Sequence, residues 1–121
     1  MSQTTEQKAE AFRLLHSGEP FVIPNPWDAG SARVLAALGF RALATTSSGF
    51  AFTLGELDGA ATLDEVVDHV AALAQATELP VSVDLEDGHG DDPGPARFMM
   101  DPRARPCQAV DHARSRRASD R

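Results

Sequence analysis

Three short apolar segments recur along this chain, each set apart from the next by a helix-length stretch, and no hairpin turn joins any two of them. Strands separated in this way pair in parallel, through crossover connections. The fold class that follows is α/β. The first segment, Phe21-Val22-Ile23-Pro24, is a compact apolar run and reads as a buried strand. The second covers residues 40–46 and the third residues 81–84, where Val81 and Val83 supply β-branched side chains.

The helices announce themselves through their ends. Thr4 and Thr5 offer caps for a first helix to about Leu15, with Phe12 and Leu15 on one face, and Ser17-Gly18-Glu19-Pro20 stops it. Asn25-Pro26-Trp27-Asp28 turns the chain, and Asp28 caps a second helix through Leu38. Val34, Leu35 and Leu38 form the expected apolar stripe of that helix, and Gly39 ends it at C′. The second strand ends in the small polar turn Ser47-Ser48-Gly49, and residues 50–61 read as a loop. Thr62 and Glu65 then form a capping box for a helix to about Ala76, which buries Val66, Val67, Val70 and Leu73.

Chemistry concentrates where the third strand ends. Residues 80–90 read Pro-Val-Ser-Val-Asp-Leu-Glu-Asp-Gly-His-Gly. Asp84 and Glu86 are two apart, so in a strand both project to one side. Neighbouring carboxylates repel unless a cation or proton lies between them, and hard oxygen ligands suit Mg²⁺. Gly88 and Gly90 allow a sharp turn and close backbone approach to a ligand. The plainer alternative is an acidic turn where a strand meets solvent.

These elements sit beside three more segments in a fixed order: Asn25-Pro26-Trp27-Asp28-Ala29-Gly30-Ser31, Thr45-Thr46-Ser47-Ser48-Gly49-Phe50, and Thr53-Leu54-Gly55-Glu56-Leu57-Asp58-Gly59. Together, over roughly residues 6–92, they closely resemble the isocitrate lyase and phosphoenolpyruvate phosphonomutase superfamily. The resemblance implies the N-terminal portion of a (β/α)₈ TIM-type barrel, truncated after about three strands. It implies Mg²⁺ as cofactor, a small α-oxycarboxylate as substrate, and an enolate-like species in forming or breaking C–C or P–C bonds. Carried over by position, Asp84 resembles the direct metal ligand, Glu86 the second acid acting through water, and Asp58 the loop carboxylate reaching the metal's waters. Ser47, Ser48 and Gly49 resemble the turn that receives the substrate carboxylate, without showing which serine does so. Two departures stand out: many relatives carry a second aspartate at Glu86, and mutases and lyases often carry an aromatic at Thr46. Relatives in this superfamily are homo-oligomers.

Other residues have plainer expected roles. Asp87 reads as a solvated turn residue, Trp27 as core packing under the loop edge, His89 as an exposed loop histidine and His69 as partly solvated. His16 and His112 carry no signal. Cys107 is the one cysteine, which excludes an intrachain disulfide and fits a reducing cytoplasm. Met1 to Lys8 is polar, so no secretory signal is read there, and no stretch approaches the ~20 apolar residues of a membrane span.

The net charge of −7 over 121 residues hides a split. Residues 1–92 hold four basic against fifteen acidic residues, a balance of −11, whereas residues 93–121 hold seven arginines against three aspartates, +4. The chain therefore divides into 1–92, a partial barrel, and 93–121, a basic Pro- and Arg-rich tail expected to be disordered or out of frame. The tail lacks the interleaved aromatics of a nucleic-acid binder, so no nucleic acid or membrane partner is expected. Neither the family's catalytic loop nor a further acidic site residue is found in it, and the catalytic residues stay unassigned. A barrel takes about 250 residues, so the chain alone is expected to be inactive and partly unfolded or aggregated. The alternative is a non-catalytic remnant that binds metal, a small acid or a full-length homologue.

Overall fold

The structure is a computed structural model, and it describes residues 3–86. The expectations for Asp87, Gly88, His89, Gly90, Cys107, His112 and the 93–121 tail lie outside the described residues. Within them the order is α1 (Thr5–Leu15), α2 (Ala29–Ala37), β1 (Leu43–Ala44), α3 (Ser47–Thr53), α4 (Leu63–Ala76) and β2 (Val81–Ser82). β1 and β2 pair in parallel, with Leu43 opposite Val81 and Ala44 opposite Ser82. The α/β reading holds. No described helix is long and apolar enough to cross a membrane.

Capping chemistry sets the helix starts. Thr4 caps α1 in a full capping box with Gln7, and Thr62 does the same for α4 with Glu65. Asp28 accepts a hydrogen bond from the Ser31 amide at 2.7 Å and so begins α2 as expected. α2 stops where Gly39 adopts φ 95°, a left-handed conformation that favours glycine.

The strand pair is sandwiched. Leu43 and Val81 are fully buried and pack on Ala32 of α2 and Leu73 of α4. Ala42, one residue earlier, packs on Phe12 of α1. Val83 and Leu85 continue beyond β2 into a third cluster with Phe50, Val66, Val67 and Val70. Burying an aliphatic side chain of this size is worth about 1.5–3 kcal/mol relative to exposure, which fixes the helices on the strands. Val66, Val67, Val70 and Leu73 are the buried face of α4, as its periodicity requires.

Three expectations need correction. Residues 21–24 do not form a ladder strand among the described residues: Val22 is 68% exposed, and the segment's link to β1 is a bond from the Ala44 amide to the Pro24 carbonyl. The expected α2 stripe holds only at Leu35, which packs against the core: Val34 and Leu38 are 59% and 70% exposed, and the fully buried contact is Ala32. A small side chain there lets α2 approach the strands closely, which turns the larger residues outward. Finally, Ser47-Ser48-Gly49 opens a helix, α3, so the loop that follows starts later than residue 50.

One side chain invisible to periodicity joins α1 to α4. Lys8 is fully buried, and its Nζ donates to the carbonyls of Ala74 at 3.0 Å and Thr77 at 2.9 Å. Those acceptors lie at the C-terminal end of α4, which has no basic residue of its own in its last turn. A cation there meets both the orphan carbonyls and the negative end of the helix dipole. Burial holds the Lys8 ammonium below its usual pKa, with the charge of Glu78 opposing the shift.

Candidate functional site

Parallel strands leave their C-terminal ends open to ligands, and here that edge holds a small cavity partly open to solvent. Thr45, Thr46 and Ser47, following β1, line one side; Asp84 and Glu86, following β2, line another; Phe50, Val66 and His69 form a largely apolar wall.

The two acids predicted from alternation do meet in one cavity, though by a different route from a straight strand. Glu86 has φ 56°, left-handed for a residue with a side chain. Its amide donates to Asp84 Oδ1 at 2.9 Å, which folds the end of β2 into an Asx-type turn. A non-glycine residue held in this region costs about 1 kcal/mol, a strain typical of binding sites. The loop carrying Asp58 also comes close: a Cβ on Gly59 would lie 3.9 Å from Glu86 Oε1. Asp58 itself is exposed, and no group of three or more His, Cys, Asp or Glu among the described residues is arranged to hold a metal. Asp84 and Glu86 are the carboxylates placed to offer oxygens into the cavity. Mg²⁺ commonly takes only one or two protein carboxylates and keeps several waters, so this pair fits such an ion.

Thr45, which the sequence reading did not single out, positions Asp84. It is buried, and its Oγ1 accepts a hydrogen bond from the Asp84 amide at 2.8 Å. The signal was present only as a hydroxyl beside a strand end.

The serine turn resolves unequally. Ser47 lines the cavity, whereas Ser48 Oγ lies 3.3 Å from Thr46 Oγ1. Thr46 also caps α3 by accepting from the Gly49 amide at 3.3 Å. Gly49 is needed for room: a Cβ there would collide with the Trp27 indole and the Thr46 methyl. Trp27 is therefore not core packing. It is 47% exposed, lies against Gly49 and meets Phe52 edge to face, with ring centroids 6.0 Å apart.

His69 is partly exposed as a residue, as expected, but its ring is set in an apolar wall. Its ring stacks on Phe50 with centroids 4.0 Å apart and planes 12° from parallel, and its Nε2 is buried with no hydrogen-bond partner. Burial lowers its pKa from the usual histidine value, while the charge of Asp28 works against that shift. A buried unpaired nitrogen costs about 1–3 kcal/mol.

A profile of the phosphoenolpyruvate phosphomutase family matches residues 12–101. The chain is 36% identical over 90 residues to 2-methylisocitrate lyase of Halalkalibacterium halodurans, covering 73% of this chain and 30% of that protein. It is 47% identical over 81 residues to an uncharacterised protein of Mycobacterium tuberculosis H37Rv, covering 66% of this chain and 31% of the other. Among solved structures, a protein of Burkholderia cenocepacia J2315 provisionally named a lyase/mutase superposes with a TM-score of 0.79 at 50% identity, over 88% of this chain and 38% of that one. The chain spans about a third of the length of the curated relatives it matches.

Proposed function

The chain belongs to the phosphoenolpyruvate phosphomutase family, within the isocitrate lyase superfamily, and from that membership we propose that its cavity is the metal- and acid-binding corner of a Mg²⁺-dependent lyase or phosphonomutase. The substrate class is a small α-oxycarboxylate, and the reaction makes or breaks a C–C or P–C bond through an enolate-like species. The complete enzyme is a (β/α)₈ barrel working in the cytoplasm. The observation that carries this reading is the meeting of Asp84 and Glu86 with the hydroxyls of Thr45, Thr46 and Ser47 in one cavity at the open strand edge.

The roles follow from the contacts. Asp84 is held from behind by Thr45 and from the front by the Glu86 amide, so its carboxylate is oriented before any ligand arrives. Its remaining oxygen and those of Glu86 would hold the cation. When bound, that cation supplies positive charge to offset what develops on an enolate oxygen. Ser47 offers a hydroxyl to a substrate carboxylate, while Thr46, Ser48 and the Gly49 amide bond to one another and keep the turn rigid. Phe50 and Val66 keep water from one side. The 121 residues alone are expected to bind without turning over, since a barrel of this type needs about 250.

Calorimetric titration with Mg²⁺ and oxalate, a minimal dianion with adjacent carboxylate oxygens, tests the assignment. The chain should bind oxalate only when Mg²⁺ is present, and Asp84→Ala should weaken binding at least tenfold. Binding unchanged in the variant would place the site elsewhere, and no binding by the unaltered chain would sink the reading. Tight binding by a full-length relative that also lacks turnover would favour a non-catalytic acid-binding protein.

A further inference from the structure

His69 has no part in the family-based assignment, yet it lines the same cavity as Asp84, Glu86 and Ser47. Three independent features of its setting point the same way. Its ring is fixed by face-to-face stacking on Phe50. Its Nε2 is buried and unpaired, which is uncommon because buried polar atoms nearly always find partners. The wall around it, Phe50 with Val66 and Ala61, offers no hydrogen-bonding side chain. A rigid, unmet nitrogen on a residue that lines one cavity with two carboxylates is an arrangement that a bound oxygen atom would complete.

We propose that His69 is a ligand-contacting residue whose Nε2 hydrogen-bonds an oxygen of the small acid held in the cavity. This rests on the metal- and acid-binding reading of the cavity above. It adds to that reading a recognition element from the middle of α4, on the wall apart from the serine turn. An acid presenting only a methyl or methylene to this wall leaves the nitrogen unpaired, so the site selects for ligands with an oxygen there. The stacked ring needs no reorganisation on binding, which limits the entropy lost.

The test uses the full 121-residue chain with Mg²⁺ and oxalate. The ring-nitrogen resonances of His69 should move on saturation with oxalate. His69→Phe, which keeps the stack and removes both nitrogens, should weaken oxalate binding about tenfold, the loss expected for one hydrogen bond to a charged group. His69→Gln should restore part of it. If oxalate binds but the resonances stay fixed, the inference is overturned, whether or not the variants fold. Equal affinity of His69→Phe and the unaltered chain overturns it too, leaving the metal- and acid-binding reading intact. If the unaltered chain binds no oxalate with Mg²⁺, both fall together.

Discussion

Two buried polar groups belong to α4 or meet it, the Lys8 ammonium at its C-terminal end and His69 Nε2 halfway along it, and they end in opposite states. Lys8 finds two carbonyl acceptors and closes its region. His69 Nε2 finds none, and its residue lines the cavity at the strand edge. The contrast follows the division of labour of parallel α/β folds, in which the far end of the strands carries stability and the C-terminal end carries ligands. Where burial serves only folding, polar groups are paired. Where it serves a ligand, pairing is left unfinished.

The largest effect is expected at Lys8. Lys8→Ala removes two charge-assisted hydrogen bonds and leaves a void, so it should cost about 3 kcal/mol of unfolding free energy in a denaturant melt. Lys8→Met, which fills the space without the charge, should cost less. A loss below about 1 kcal/mol for the alanine variant would mean that this end is not the stability end. A smaller effect is expected at Thr45. Thr45→Val leaves the Asp84 amide unpaired and should cost about 1–2 kcal/mol, with faster hydrogen exchange at that amide, while Thr45→Ser recovers most of it. Unchanged exchange would show that Asp84 is positioned by other contacts.

The smallest effect is in pH. Because burial lowers the His69 pKa, the folded chain binds fewer protons than the unfolded chain between that lowered value and the ordinary one near 6.5. Stability from this source is therefore intact above about pH 6.5 and falls as the solution is acidified through the window. His69→Phe should flatten the fall in melting temperature between pH 7 and 5. Asp28, whose carboxyl is held low chiefly by the Ser31 hydrogen bonds, loses its contribution only in more acidic solution, so the two separate by range. Parallel curves for the variant and the unaltered chain would remove His69 as a buried base.

Local rules made the helices legible, because Thr4, Asp28 and Thr62 each act within a few residues. The carboxylate pair was legible for the same reason, although the turn at Glu86 was not. What lay hidden depended on distant partners. Residues 21–24 have strand-like composition, but a strand exists only where a neighbour supplies its ladder. Lys8 reads as one more surface lysine until its acceptors, 66 and 69 positions away, are placed. Thr45 is 39 positions from the amide it holds. His69 is separated from Phe50 by a whole loop and a helical turn, so no spacing rule joins them. Val34 and Leu38 misled because helical period shows a face without showing which face a small residue such as Ala32 will win.

The Lys8 link also carries a consequence for synthesis. A ribosome releases Lys8 some seventy residues before its acceptors, so this buried link cannot close while the intervening chain emerges. α1, although well capped and able to pack Phe12 on Ala42 sooner, must wait for the end of α4 to pair its buried lysine. Contacts of such long range slow folding, so the Lys8 link is expected to close late, once Thr77 is available.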